Sequence, residues 1–241
     1  MDTIKTLGYN LIINDLGVVP LDNKVLVNTM SPNSYGLAIK DKDTELALKG
    51  SDYLVLDGVY FGLAAILIEK IRVKRITGWD CFTFFSHTID EKKCRVFFIG
   101  SSSETLSKIE TKYKIDYPQT SVGTYSPPFK KVFSEEDNLM IRKAINDFKP
   151  DVLFVGLTAP KQEKWGYQNI NELDVHVIST IGNVFDWYAG NSKRPGKFWQ
   201  KIGLEWLVRI FYRPEIFLRN IGNQMILFWH LLLIFLKTKK V

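Results

Sequence analysis

Residues 152–165 read VLFVGLTAPKQEKW. Val152–Val155 is a run of apolar, mostly β-favouring side chains between Asp151 and Gly156, and it reads as a fully buried strand. Pro160 then starts a helix over Lys161–Asn169, because its fixed φ suits the first helical turn and its missing N–H costs nothing there. A strand without a polar face, passed straight into a helix, belongs in a parallel sheet covered by helices on both sides.

The same unit recurs outward in both directions. KVLVNT (Lys24–Thr29), YLVL (Tyr53–Leu56), RVFFI (Arg95–Ile99) and VHVIS (Val175–Ser179) read as further strands. Helix-like stretches lie between them at Pro32–Lys40, Val59–Lys70, Glu104–Tyr113 and Glu135–Phe148. This alternation predicts an α/β fold, a Rossmann-like and mostly parallel sheet covered by helices. Ligands of such sheets gather at the carboxyl ends of the strands. That rule selects the loops at 28–33, 57–60, 100–103, 156–162 and 182–186.

Each loop carries residue types with a chemical use and an ordinary structural one. Thr29 ends a strand where its hydroxyl can face a ligand, whereas Ser31, directly before Pro32, is placed to cap a helix. Asp57 either caps the helix from Val59 or serves as a general base, its pKa raised by partial burial among Leu and Tyr. Gly100 and Ser101 let backbone N–H groups approach an anion, although most Gly-Ser loops are plain turns. Gln162 offers donor and acceptor atoms suited to sugar hydroxyls. Glu163 either binds beside it or simply favours the helix dipole. Asp186, among aromatics, needs a partner or a ligand hydroxyl, since unpaired burial is costly. Asp41-Lys42-Asp43 has the form of a DxD metal–nucleotide signature, but it lies between helices and reads as a solvated turn.

Charge is unevenly placed. The 241 residues carry a net +6, yet residues 193–241 hold ten basic and two acidic side chains, while residues 1–192 hold 22 and 24. The near-neutral body disfavours nucleic acid as a partner, and the basic tail predicts a local anionic one. GNSKRPG (Gly190–Gly196) marks the boundary. Within the tail, MILFWHLLLIFL (Met225–Leu236) is shorter than the ~20 apolar residues that span a bilayer. It reads as an interfacial helix on a membrane surface in preference to a core helix. Cys81 and Cys94 form no disulfide framework or CxxC motif, and His87, His176 and His230 form no ligand set, so no metal is expected. The opening MDTIKTLGYN has no apolar signal segment, which points to the cytoplasm.

Several blocks, in order, resemble the WecG/TagA/CpsF family, glycosyltransferase family 26. They are NTMSPNSY (Asn28–Tyr35), LDG (Leu56–Gly58), RITGWD (Arg75–Asp80), FFIG (Phe97–Gly100), VGTYSPPF (Val122–Phe129), PDVLFVGLTAPKQEKW (Pro150–Trp165), IGNVFDWYAG (Ile181–Gly190) and KRPGKFWQKIGLEWLVRIFYRP (Lys193–Pro214). The resemblance covers nearly the whole chain. It implies an inverting, metal-independent transferase with no cofactor. Such an enzyme moves a sugar, N-acetylmannosamine or a related hexose derivative, from a UDP donor to a polyprenyl-diphosphate-linked sugar in teichoic acid, enterobacterial common antigen or capsule assembly. By position it assigns the general base to Asp57, a donor-pocket hydroxyl to Thr29 and a leaving-diphosphate contact to Arg75. It makes Ser31, Gly100, Ser101, Tyr125, Gln162, Glu163 and Asp186 substrate contacts, and it sets Arg209, Arg213 and Arg219 against the diphosphate of the acceptor or of UDP. The chain has Ser31 where the family often has Asn, and Ile216 where it commonly has Arg, with Arg213 the candidate replacement.

The expectation is a peripheral enzyme on the inner face of a bacterial plasma membrane, with self-association left open. Residues 1–192 form its catalytic domain, and residues 193–241 an appendage that docks on the membrane and completes the site. Two alternatives stand beside it. A Rossmann-type oxidoreductase would carry GxGxxG with an acidic residue about 20 positions on, and neither is present. A non-catalytic membrane-surface nucleotide-binding module would explain the tail but not the polar residues on the strand-end loops.

Overall fold

A computed structural model describes residues 2–196, 198, 199, 208 and 214–238. Strands β1 (Thr3–Thr6) and β2 (Tyr9–Ile12) form an antiparallel hairpin. The remaining strands are β3 (Val25–Met30), β4 (Tyr53–Leu56), β5 (Arg95–Gly100), β6 (Ser121–Tyr125), β7 (Val152–Gly156) and β8 (Val177–Thr180). They pair in parallel, in the order β4-β3-β8-β7-β5-β6. The connections are filled by α1 (Pro32–Lys40), α2 (Lys42–Lys49), α3 (Val59–Glu69), α4 (Gly78–Glu91), α5 (Ser103–Asp116), α6 (Glu135–Phe148), α7 (Lys161–Asn169) and α8 (Val184–Tyr188). Helix α9 (Pro214–Thr238) follows. The expected α/β class and parallel sheet are present.

Successive strand side chains point to opposite faces, so each strand feeds two cores. On one face Val27, Val55, Phe98 and Phe154 pack with Phe82 and Phe85 of α4, Tyr113 of α5 and Phe185 of α8. On the other, Phe97, Leu153 and Ile178 meet Ile141 of α6 and Trp165 of α7, and Met30 and Leu56 meet Tyr35 of α1 and Phe61 of α3. The sheet is therefore apolar on both sides, as the unbroken run at residues 152–155 implied.

Elements absent from the sequence reading have weak local signals. Strand β6 is an edge strand of small and polar residues, SVGTY. Helix α2 is short and mostly polar, and it is anchored by its Asp41 cap. The aromatic-rich α4 is started by a capping box between Thr77 and Asp80. The tail departs most from expectation. Helix α9 begins well before Met225, and one of its faces is core: Leu227 and Leu231 are buried with Tyr35, Phe61 and Ala64. The reading of this run as purely interfacial is corrected on that face. Met225, Trp229, Leu232, Leu233 and Leu236 stay exposed on the remainder. Among the described residues, no helix is long and apolar enough to cross a membrane.

Candidate active site

Strands β3 and β8 are neighbours, but α1 after β3 packs on one face of the sheet and α8 after β8 packs on the other. Their loops leave for opposite faces, and such a switch point is where open parallel sheets bind ligands, in the crevice outside the carboxyl ends. Thr29 lies on the β3 side of it, and residues 181–183 on the β8 side.

Pairing of β3 with β4 sets Thr29 opposite Val55 and Met30 opposite Leu56. Asp57 lies two residues beyond Val55 and so shares the sheet face of Thr29. Its N–H donates to the Met30 carbonyl at 2.8 Å, extending the ladder past the strand. A second backbone link fixes the residue opposite: Ile76 N–H donates to the Leu56 carbonyl at 2.8 Å, and Arg75 bridges Leu56 in parallel. The Arg75 guanidinium thereby comes within 3.7 Å of the Asp57 carboxylate, the two side chains being 25% and 31% exposed. Capping does not account for Asp57. Gly58 holds the cap position of α3, with no side-chain cap hydrogen bond. A Cβ on Gly58 would stand 2.6 Å from Pro32 Cδ, so the loops after β3 and β4 are packed together.

Ser31 is absorbed by capping. Its hydroxyl accepts from Ser34 N–H at 3.1 Å, and the Ser34 hydroxyl accepts from Ser31 N–H at 2.8 Å. Gln162 and Glu163, at the start of α7, are buried and hydrogen-bonded to each other, Nε2 to Oε1 at 2.9 Å. Burial pushes the Glu163 carboxyl above the ordinary carboxylate range. Glu163 is thus no solvated charge serving the helix dipole. After β8, the Asn183 amide in its hydrogen-bonding orientation donates to Asp186 Oδ2 at 3.2 Å and accepts from Trp187 Nε1 at 3.0 Å. Asp186 therefore has the partner its setting demanded.

The remaining residues divide by strand order. Thr29, Asp57, Arg75, Gln162 and Asp186 belong to the β4-β3-β8-β7 end of the sheet. Tyr125 ends β6 at the far edge, five strand intervals from β4, or about 24 Å at strand spacing. Gly100 ends β5, the next strand in, and Ser101 follows it. Each has a local reason: a Cβ on Gly100 would meet the Gly156 carbonyl oxygen at 2.5 Å, and the Ser101 carbonyl accepts from Ser126 Oγ at 2.8 Å. Arg209 and Arg213 lie outside the described residues. Arg219 is exposed on α9 and donates to Asn220 Oδ1 at 3.4 Å.

Asp41 is more than a solvated turn. It caps α2 and binds Lys164 of α7 at 2.8 Å, and that lysine holds its carboxyl below the usual range.

Two features escaped sequence reasoning. Asn28 is buried between strands and links Thr180 Oγ1, at 2.5 Å, to Ser51 Oγ, at 2.9 Å. A lone amide in an apolar strand was the available signal. The second is Arg194, whose guanidinium lies 5.0 Å from the Trp79 ring and 5.7 Å from that of Trp187. The GNSKRPG boundary segment is therefore stacked on the body.

The sequence profile of the Glycosyl transferase WecG/TagA/CpsF family matches residues 4–241. The chain belongs to this family. Among its relatives, the N-acetylglucosaminyldiphosphoundecaprenol N-acetyl-beta-D-mannosaminyltransferase of Bacillus subtilis is 28% identical over 197 residues, covering 80% of this chain and 75% of the relative. The protein of the same name from Bacillus spizizenii is 30% identical over 186 residues, 77% of this chain and 70% of the relative. That from Staphylococcus aureus is 25% identical over 223 residues, 92% and 81% of the two chains. The resemblance read from the motif blocks is thus borne out, and the crevice between β3 and β8 is the candidate active site of a WecG/TagA/CpsF glycosyltransferase.

Proposed function

We propose that the protein transfers N-acetylmannosamine, or a closely related hexose derivative, from its UDP conjugate to a sugar carried on a polyprenyl diphosphate, inverting the anomeric centre. The relatives' names supply the sugar and the diphospholipid acceptor. The observation that carries the reading for this chain is the Asp57–Arg75 pair beside Thr29. A carboxylate next to a guanidinium, at the carboxyl edge of a parallel sheet, suits an in-line displacement. Asp57 takes the proton of the acceptor hydroxyl as its oxygen attacks the anomeric carbon. The bond from that carbon to the diphosphate oxygen breaks, and Arg75 counters the charge gathering on UDP.

Membrane docking is part of the same proposal. Its support is the exposed apolar side of α9 together with that of α3, where Val59, Leu63 and Ile66 are each 40% exposed at helical spacing. The helices meet at Tyr60 and Phe228, ring centroids 5.1 Å apart. Such a surface, starting one residue after Gly58, keeps Asp57 close to a lipid-held acceptor. Arg209, Arg213 and Arg219 engage a diphosphate in this reading, in line with the tail's charge.

The test is UDP release by the full chain from UDP-N-acetylmannosamine and a synthetic polyprenyl-diphosphate-GlcNAc, with wild type and Asp57→Asn. Turnover by the wild type and its loss in the variant, with UDP-sugar binding retained, is expected. A variant that turns over at the wild-type rate sinks the base assignment. Co-sedimentation with anionic vesicles checks the docking, which fails if Leu232→Glu/Leu233→Glu pellets as the wild type does.

A further inference from the structure

Gln162 Oε1 and Glu163 Oε2 are both buried and have no hydrogen-bond partner among the described residues. Gln162 is 6% exposed and Glu163 2%. Buried polar atoms are normally satisfied, because leaving one unmade costs more than making it gains. The partner atoms of these two groups are committed to each other through the 2.9 Å bond from Gln162 Nε2 to Glu163 Oε1. That bond fixes which way the amide points, and it leaves a carbonyl oxygen, which can only accept.

Gly182, two residues beyond β8, lies against this amide. Its φ is +54°, and a Cβ there would stand 3.4 Å from Gln162 Oε1 and 3.5 Å from Nε2. The Gln162 amide therefore faces the loop after β8. Sequence order alone sets α7 behind β7; the proximity to Gly182 sets the amide beside the loop after β8, the strand next to β3.

We propose that Glu163 is a positioning residue: it locks the Gln162 amide so that Oε1 accepts a hydrogen bond from a hydroxyl or acetamido N–H of the donor sugar. This rests on the transfer reaction proposed above. Glu163 touches no reacting atom and acts through Gln162. Burial shifts its carboxyl towards the neutral form. The orphaned acceptor makes the free site discriminating. A sugar that presents a donor satisfies it, and one that does not leaves it buried and unpaired.

The experiment measures donor KM and kcat for UDP-N-acetylmannosamine with polyprenyl-diphosphate-GlcNAc, and Kd for UDP alone, with folding checked by circular dichroism. Glu163→Gln keeps an acceptor for Gln162 Nε2, and its KM is expected within about twofold of the wild type. Glu163→Met removes that acceptor at similar volume, and donor KM is expected to rise about 10- to 100-fold with UDP Kd unmoved. The double variant with Gln162→Met should be no worse than Gln162→Met alone, because one residue acts through the other. A folded Glu163→Met with wild-type donor KM, or losses that simply add, overturns the proposal. If Glu163→Met does not fold, Gln162→Met carries the decision: an unchanged donor KM overturns it, and a raised one with wild-type-like Glu163→Gln supports it. A wild type that turns over no donor brings down the transferase reading itself, and this inference with it.

Discussion

Gly36 of α1 and Asn223 of α9 meet backbone to backbone: a Cβ on residue 36 would stand 2.1 Å from the Asn223 carbonyl oxygen. The contact seats the tail helix on the body. Asn223 Oδ1 accepts from Lys40 at 2.8 Å, and its Nδ2 donates to Asn33 at 3.0 Å. One turn on, Leu227 is fully buried, and the Tyr35 hydroxyl meets His230 Nδ1 at 2.7 Å. Gly36→Ala cannot be absorbed by a rotamer change, because the obstacle is backbone. The helices must separate, at a net cost of about 1–3 kcal/mol even after alanine's better helix propensity. A lower denaturant midpoint is expected, with hydrogen exchange quickened mainly along α9. Wild-type stability, with α9 amides as protected as before, would contradict the packing.

Asp57→Asn keeps the size of the side chain and removes its basicity. Loss of a general base slows the chemical step by about 10²–10⁴-fold. Single-turnover rates with saturating donor should fall by that factor, while the Kd for UDP-sugar moves little. A matching rise in Kd would mean that Asp57 holds the donor and does not take the proton.

Arg75 sits 3.7 Å from Asp57, and in the proposed reaction its charge counters that of the leaving diphosphate. Arg75→Gln removes the cation, and kcat is expected to drop about 10²-fold or more. Arg75→Lys should restore only part of the loss, since an ammonium lacks the planar, two-pronged donor set. Full activity in the lysine variant would reduce Arg75 to a general positive charge.

Glu163 gives a pH-dependent prediction with a definite sign. Its carboxyl is held above the ordinary range by burial, so the folded state keeps a proton that the unfolded chain releases. The protonated group's contribution is fully present below the unfolded pKa, near 4.3, and is lost as pH rises through the folded value. Glu163→Gln abolishes this titration. The difference in melting temperature, variant minus wild type, should therefore grow from mildly acidic towards neutral pH. A difference that stays flat or shrinks over that range would show that Glu163 titrates normally in the folded protein.

The five strands read from the sequence are present, with no end off by more than two residues; the last runs over Val177–Thr180 where Val175–Ser179 was expected. They were legible because burial on both faces leaves a continuous apolar run. Strand β6, with one neighbour and partly exposed side chains, had no such constraint on its composition. At the site, Thr29 and Asp57 could be located because strand ends can be read from the sequence. Ser31 was rightly seen as a cap, and Asp57 is not one. Gly100, Ser101 and Tyr125 were grouped with them by motif, yet strand order puts them towards the opposite edge.

By itself the sequence determined the periodicities, hence the parallel sheet and the loops at its carboxyl edge, and it carried the motif blocks that mark the family. Those are local properties, written in consecutive residues. Only the tertiary structure decided that Arg75 stands beside Asp57, through a backbone bridge from Leu56. It also decided that Glu163 is buried against Gln162 and that one face of the apolar tail is core. Burial, partner and charge state depend on which distant segment packs against a side chain, and the order of the strands sets that.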